Sequence, residues 1–260
     1  MKVVILCGGQ GTRLREETEH RPKPLVEVGG RPILWHIMKI FQAYDLNSFV
    51  LCLGYKGTMI KEYFLNYRAM MNDFTMRLGS RESISFPTSP DDEDDFEVTL
   101  ADTGDDSMTG ARIKRVERYI PDTDDLFLVT YGDGLADVDI AKLIAFHRSH
   151  GRLATVTTVQ PVSRFGVLNL EGDAVQAFVE KPRLDGWSSA GFFVFDRRVL
   201  DWLSVRPDCI LEREPLERLS AAGELMAYRH DGFFFAMDTY REFLVLNELW
   251  HSGKAPWRIW

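Results

Sequence analysis

Glycines and cations with the properties of a phosphate-binding loop follow a short apolar run at the start of the chain. Within sixteen residues the sequence places Gly8, Gly9, Gly11, Arg13 and Lys23. Glycine can adopt backbone angles that turn consecutive N–H groups into one concavity, which suits anionic oxygen. Arg13 adds a planar fork of donors, and Lys23, between two prolines, adds a point charge on a stiffened segment. Each feature alone would indicate a plain turn beside surface cations, but together they favour phosphate binding.

Two familiar glycine-rich motifs do not fit this loop. A P-loop requires lysine and then serine or threonine after its last glycine, whereas Thr12 and Arg13 follow Gly11. The dinucleotide fingerprint requires a third glycine where the chain has Leu14. The loop therefore predicts a phosphate site of another kind.

Two aspartates stand where strands are predicted to end. Asp133, in "YGDG", follows the apolar run "LFLVTY", and Asp238, in "AMDTYRE", lies between a short aromatic strand and a terminal helical pattern. Ligands of open α/β sheets bind at the carboxyl ends of the strands. Each aspartate alone would more often be a turn residue or a helix cap, so the residue types by themselves leave both interpretations open.

The elements that must position these residues alternate between strand and helix. Apolar runs at Val3–Cys7 and Ser48–Gly54 are typical of strands covered on both faces, and Pro32–Tyr44 has helical spacing. The order predicts an α/β fold with helices on both faces of a mainly parallel sheet. Short alternating segments after Phe165 predict antiparallel strands, and "TMIKEYFLNY" and the terminal "TYREFLVLNELW" predict helices. The segment "AGFFVFDRRVLDWL" predicts a strand that continues into a helix. We find no repeat or linker, which predicts a single domain over residues 1–260.

Composition excludes several classes of protein. The formal charge of -8 argues against a nucleic-acid partner, which would require clustered lysine and arginine. No apolar stretch approaches membrane-spanning length, and the amino-terminal run is too short for a signal peptide. Cys7, Cys52 and Cys209 are too few and too widely spaced for a disulfide framework or a zinc cluster, so we expect buried thiols. The sequence predicts a cytoplasmic protein without membrane association.

The acidic run Asp91–Asp95 interrupts the regular pattern. Like charges repel and remain in water, which favours a solvated loop or hairpin insertion over an acidic binding site.

The sequence resembles the sugar-phosphate nucleotidyltransferases. The resemblance rests on "LCGGQGTRLREETEHRPKPLVEVGGRPIL", "GYKGTMIKEYF", "DTGDDSMTGARIKRV", "YGDGLADVDI", "EKP" and "MDTYRE", and it extends over nearly the whole chain. These blocks are most similar to the glucose-1-phosphate cytidylyltransferase branch. The resemblance implies a Rossmann-like nucleotidyltransferase fold with a mixed, mainly parallel sheet, helices on its flanks and small antiparallel excursions. It also implies CMP transfer from CTP to a sugar 1-phosphate, Mg²⁺ as cofactor, and a homo-oligomer.

Carried onto matching positions, the resemblance implies roles for individual residues. Arg13, Lys23, Asp133 and Asp238 are the implied catalytic residues, and Asp133 and Asp238 are the implied Mg²⁺ ligands. The implied nucleotide-binding residues are Leu6, Gly8, Gly9, Gly11, Thr12, Arg13, Lys23, Ser107, Thr109, Arg112 and Gly132. Thr109 could instead cap a helix, with Arg112 solvated on its face. The implied acceptor-binding residues are Glu180, Lys181, Ser189, Ala190 and Gly191. Nucleotide binding is thereby expected in residues 1–135 and acceptor binding in residues 136–260.

The chain departs from the family pattern beside the expected acceptor site. Before "GFFVF", Ser189 stands where the family has asparagine and Ala190 where it has glycine, and Trp187 and Ser188 precede them. Serine carries one hydroxyl and lacks the amide that can donate and accept at once. Glucose 1-phosphate is the predicted acceptor; another phosphorylated acceptor, another base, or a catalytically silent nucleotide-binding relative remain alternatives.

Overall fold

A computed structural model describes residues 1–79, 84–86, 94–163 and 165–260. In those residues the strands are β1 (Val3–Leu6), β2 (Glu27–Val28), β3 (Arg31–Pro32), β4 (Ser48–Leu53), β5 (Thr75–Met76), β6 (Ile84–Ser85), β7 (Glu97–Asp102), β8 (Leu126–Tyr131), β9 (Gly134–Ala136), β10 (Ala154–Val159), β11 (Val167–Glu171), β12 (Ala174–Val179), β13 (Ser188–Asp196), β14 (Leu225–Arg229) and β15 (Phe234–Ala236). The α-helices are α1 (Arg15–Thr18), α2 (Ile33–Gln42), α3 (Gly57–Leu65), α4 (Tyr67–Met71), α5 (Thr109–Arg115), α6 (Ile140–His150), α7 (Glu214–Ala221) and α8 (Tyr240–His251). Short 3-10 helices cover Lys23–Leu25, Glu117–Tyr119 and Arg197–Trp202.

The central sheet has the strand order β14-β10-β13-β8-β1-β4-β7. β1 pairs in parallel with β4 and β8, β4 with β7, and β10 with β14. Among the described strands of this sheet, only β13 is antiparallel to its neighbours, β10 and β8. The predicted mixed, mainly parallel α/β sheet is confirmed. Its parallel strands end at one edge, and β13 begins there.

The two faces of the sheet are covered by different helices. Val3 and Ile5 of β1 belong to an apolar cluster with buried residues of α2 and α8, whereas Val4 and Leu6 belong to a second cluster with α5 and α7. This alternation is the period of two that a strand dictates. The predicted two-sided burial of the strands is therefore confirmed.

The predicted ends of the helices and strands agree with the structure within a few residues, with two exceptions. Pro32 precedes α2 with extended ψ, and the helix ends at Gln42. The helix predicted from "TMIKEYFLNY" divides into α3 and α4 at Asn66, and the turn after β13 is 3-10 rather than α-helical. The predicted antiparallel strands after Phe165 are the β11–β12 hairpin.

The acidic segment is only partly as predicted. A small β5–β6 hairpin precedes it, and Asp91, Asp92 and Glu93 lie outside the described residues. The prediction of solvated side chains is wrong for Asp94. Its carboxylate accepts hydrogen bonds from Trp35 at 2.9 Å and Tyr67 at 2.5 Å and pairs with Lys39 at 3.2 Å.

The expectation for the cysteines is met. The cysteines are free and buried, as predicted. Across the described ranges, no helix is long and apolar enough to cross a membrane.

Candidate active site

Pairing of two three-residue strands brings the predicted aspartates together. Asp133 directly precedes β9, and a single residue, Met237, separates β15 from Asp238. The strands pair antiparallel with Gly134 opposite Ala236, and the Met237 N–H donates to the Asp133 carbonyl at 2.9 Å. Glu242, in the first turn of α8, accepts from the N–H groups of Asp238 and Thr239 at 2.7 and 2.8 Å. The backbone at both aspartates is thereby fixed.

Lys23 lies between the two carboxylates. Its Nζ is 2.6 Å from Asp133 Oδ2 and 2.8 Å from Asp238 Oδ1, and Arg13 Nη1 is 2.9 Å from Asp238 Oδ2. Burial lowers the pKa of Lys23, but the two carboxylates outweigh this effect and the pKa is raised. The four predicted catalytic residues therefore form one cluster with a protonated lysine at its centre.

The glycine loop bounds a cavity of about 660 Å³ beside this cluster. Every predicted nucleotide-binding residue lines it: Leu6, Gly8, Gly9, Gly11, Thr12, Arg13, Lys23, Ser107, Thr109, Arg112 and Gly132. Asp133 lines it as well. We call this the first cavity; two of its cations, Arg13 and Lys23, belong to the catalytic cluster.

The three loop glycines have different structural roles. Gly11 has φ of +63°, a conformation that disfavours other residues, and it alone of the three lies in that region. A Cβ at Gly8 would collide with the Arg112 guanidinium, whereas one at Gly9 would meet no atom within 4 Å. The sequence-based expectation of unusual backbone angles at all three is therefore met only at Gly11.

The Arg112 side chain stabilises the glycine loop through a hydrogen bond to its backbone. Its buried guanidinium donates to the carbonyls of Gly8 at 3.1 Å, Leu53 at 2.9 Å and Asp105 at 3.2 Å, and to the Thr103 hydroxyl at 2.8 Å. Burial lowers the pKa of Arg112. The alternative of a solvated arginine is wrong, because this side chain joins the ends of β1, β4 and β7.

The hydroxyls at the start of α5 are also engaged. Ser107 Oγ accepts from Arg115 Nη1 at 2.7 Å. Thr109 Oγ1 accepts from the Leu211 N–H at 2.9 Å and donates to Glu212 Oε2 at 2.6 Å. The alternative of Thr109 as a helix cap is wrong, since Met108 holds the cap position.

Tyr131 and Glu212 are site residues that sequence reasoning missed. Tyr131 ends β8, lines the first cavity and donates its hydroxyl to Glu212 Oε1. Burial and the Glu212 carboxylate raise the pKa of Tyr131, so the phenol remains a donor. Its position at a strand end, directly before "GDG", was an available signal; Glu212 had none, because the 207–212 segment reaches α5 only in the fold.

A second cavity, of about 620 Å³, lies on the other side of the catalytic cluster. Lys181, Ser189 and Asp238 line it, so two predicted acceptor-binding residues and one predicted metal ligand meet there. It also contains side chains that the sequence did not single out: Gln160, Arg183, His230, Phe234, Phe235 and Arg241. His230 Nε2 lies 2.9 Å from Asp137 Oδ1.

Three other predicted acceptor-binding residues lie around this second cavity and are not among the described residues that line it. Glu180 is exposed and pairs with Lys181 at 3.5 Å. Ala190 is buried in β13, and Gly191, with φ of +76°, leaves room for the Tyr131 ring, which a Cβ would strike. Their acceptor-binding roles stay predictions.

The donor set suits a hard divalent cation. Carboxylate oxygens of Asp133 and Asp238 lie within hydrogen-bond distance of one nitrogen, so the two groups are close enough to share a cation. Within the described part of the chain, no group of three metal-binding side chains is found. Two carboxylates that leave positions for substrate oxygens fit Mg²⁺, which keeps water and phosphate ligands.

The fold and the cluster of cations and paired carboxylates define a nucleotidyltransferase. The chain belongs to the nucleotidyl transferase family, whose pattern matches residues 2–230. Enzymes of this family generally use a divalent metal. The chain is 48% identical to the glucose-1-phosphate cytidylyltransferase of Salmonella typhi and 45% identical to a probable glucose-1-phosphate cytidylyltransferase of Bacillus subtilis, with each alignment covering all of both chains. A putative glucose-1-phosphate thymidylyltransferase from Bacillus anthracis has the same fold, with a TM-score of 0.69, 19% identity, and coverage of 96% of this chain and 94% of that one.

Proposed function

We propose that this enzyme transfers CMP from CTP to α-D-glucose 1-phosphate, with Mg²⁺, and releases pyrophosphate and CDP-glucose. The full-length identity of 48% to the Salmonella typhi enzyme supports the choice of substrates. CTP and sugar phosphates are cytoplasmic metabolites, so the cytoplasm is the compartment that this reaction requires.

The observation that carries the proposal is the position of the catalytic cluster between two cavities. Asp133 and Lys23 line the first cavity, and Asp238 lines the second, while Lys23 contacts both carboxylates. A nucleotide in the first cavity and a sugar phosphate in the second would meet at this cluster. The first cavity is built from residues between 6 and 133 and the second from residues between 159 and 245, which supports a nucleotide-binding part near 1–135 and an acceptor-binding part near 136–260.

The chemistry needs positioning and charge neutralisation more than covalent assistance. An acceptor phosphate oxygen forms a bond to the α-phosphorus of CTP as the bond to pyrophosphate breaks, and no proton must be removed from the ionised nucleophile. Arg13 and Lys23 neutralise negative charge on the phosphates. Asp133 and Asp238 would hold Mg²⁺, which withdraws charge from phosphate oxygens when bound.

The other side chains orient the substrates. Arg112 fixes the glycine loop through the Gly8 carbonyl, and Lys181 supplies a cation to the acceptor phosphate in the second cavity. Ser189 lines the same cavity, and its hydroxyl accepts from the Gly191 N–H at 3.1 Å. The hydroxyl proton of Ser189 can still be donated in a hydrogen bond to the sugar phosphate.

A pyrophosphate-release assay tests the proposal. Purified enzyme with Mg²⁺ is incubated with each of CTP, UTP, dTTP, GTP and ATP against a panel of phosphorylated acceptors. We expect release to be fastest with CTP and glucose 1-phosphate. A faster reaction with another acceptor would overturn glucose as the substrate and point to Ser189, and no release from any pairing would support a silent nucleotide-binding relative.

A further inference from the structure

Glu212 receives two hydroxyl donors at the edge of the first cavity. Tyr131 donates to one carboxylate oxygen and Thr109 donates to the other, at 2.6 Å. Both donors line the cavity, and Glu212 itself is exposed. The carboxylate is therefore held in a fixed orientation at the cavity edge, with accepting capacity left on both oxygens.

Glu212 and the phosphate-binding cations contact different residues around this cavity. Arg13 and Lys23 meet the aspartates at one end of the cavity, and Thr109 and the segment from Asp105 bound another part of the same cavity. A nucleotide whose phosphates contact the cations would extend its nucleoside along the remaining wall. The polar side chains there are the ones that can distinguish bases.

Most polar groups on that wall are already committed. The Ser107 hydroxyl accepts from Arg115, the Thr109 hydroxyl both donates and accepts, and Arg112 donates to backbone carbonyls. Both hydroxyls that reach Glu212 point their protons at it. The carboxylate is thus the oriented acceptor of this network.

We propose that Glu212 is a specificity-determining residue that accepts a hydrogen bond from the exocyclic amine of cytosine. Uracil and thymine carry a carbonyl oxygen at that position, which a carboxylate repels, so the pair selects CTP over UTP and dTTP. Tyr131 and Thr109 are positioning residues that fix the carboxylate. This inference rests on the proposed function, because it assumes that CTP is the substrate.

The glutamine variant tests this assignment. Glu212→Gln retains the size of the side chain, but its amide can turn a donor toward a carbonyl and can no longer accept from both hydroxyls. We expect the ratio of kcat/KM for CTP to that for UTP to fall at least about tenfold, mainly through a higher KM for CTP. Calorimetric binding of CTP and UTP without acceptor should show the same loss of preference.

Two control variants separate this effect from general changes in charge. Asp208→Asn removes a charge from an exposed residue on the same 207–212 segment, which is not among the residues that line either cavity, and it should leave the CTP-to-UTP ratio unchanged. Glu214→Gln removes a surface carboxylate that pairs with Arg218 on α7, and it should leave the activity unchanged.

The outcomes distinguish the two proposals. A Glu212→Gln enzyme with an unaltered CTP-to-UTP ratio would overturn the assignment of Glu212 while leaving the proposed function intact. Wild-type enzyme that binds UTP as tightly as CTP would overturn the assignment even if turnover is seen. Absence of pyrophosphate release from the wild type, with preferential CTP binding lost in the variant, would overturn the proposed function and support Glu212.

Discussion

Lys23 Nζ lies 2.6 Å from Asp133 Oδ2, although the two residues are 110 positions apart in the sequence. The same nitrogen reaches Asp238, so one buried ammonium holds two carboxylates that would otherwise repel each other. In this arrangement the ammonium of Lys23 partly neutralises the charges of the two carboxylates. Substrate phosphates would attract the lysine, and the two carboxylates would then be free to accept a metal.

Removal of either carboxylate should abolish turnover while the fold is retained. We expect Asp133→Asn and Asp238→Asn each to lower kcat by at least about 10³-fold, because each removes a metal-binding charge from the reacting centre. Pyrophosphate release gives the rate, and circular dichroism checks the fold. As a control, Asp185→Asn changes an exposed aspartate and should leave the rate intact. An Asp238→Asn enzyme with full activity would remove that residue from the site.

Replacement of the central lysine should have opposite effects on metal binding and turnover. Lys23→Met keeps an unbranched side chain of similar length but leaves the two aspartates without their shared cation. We expect Mn²⁺, measured alone by calorimetry, to bind at least about tenfold more tightly than to the wild type, and kcat/KM to fall by about 10²-fold or more. The Lys23→Met, Asp238→Asn double variant should lose the gained affinity. Equal Mn²⁺ affinity in wild type and Lys23→Met would show that the lysine does not compete with the metal.

Neighbouring glycines provide a matched pair for the loop. Gly8→Ala would force its Cβ into the Arg112 guanidinium, so we expect the free energy of unfolding to fall by about 1–3 kcal/mol and the KM for CTP to rise. Gly9→Ala meets open space and should change the unfolding free energy by less than about 0.5 kcal/mol. Urea denaturation measures both. Similar losses in the two variants would argue that Arg112 does not require Gly8.

Local sequence signals account for the choice of three of the four side chains that the structure brings together. Arg13, Lys23 and Asp133 follow local signals, namely a glycine loop, a lysine between prolines and a strand end. Their convergence with Asp238 depends on pairing of β9 with β15, two strands too short to carry a pattern of their own. The side chains could be chosen from sequence, but their contact could not be derived.

Burial and long-range contacts account for what the sequence did not reveal. Arg112 carries the charge of a ligand-binding residue, and only the packing of Gly8 and Gly54 around its guanidinium identifies it as a support. His230 and Glu212 follow no motif. His230 lines the second cavity, and Glu212 contacts Tyr131 and Thr109 of the first cavity through segments joined by tertiary contacts. The charge run predicts a solvated Asp94, because its partners, Trp35, Lys39 and Tyr67, lie on helices distant in sequence.

His36 should make the protein less stable as the pH falls from 6.5 to 4. It has no exposed surface, its Nε2 hydrogen-bonds the Val28 carbonyl at 2.8 Å, and Trp257 Nε1 donates to its Nδ1 at 3.3 Å. Burial lowers the pKa of His36 from 6.5 to about 4, so between these values the unfolded chain takes up a proton that the native ring refuses. The free energy of unfolding should therefore fall by up to about 3 kcal/mol across this window.

Urea denaturation from pH 7 to pH 4 measures how steeply the free energy of unfolding depends on pH. His36→Gln should reduce this dependence, whereas the exposed control His20→Gln should not. If His36→Gln fails to fold, an NMR titration of the His36 ring in the wild type decides the question, and protonation near pH 6.5 would contradict the prediction.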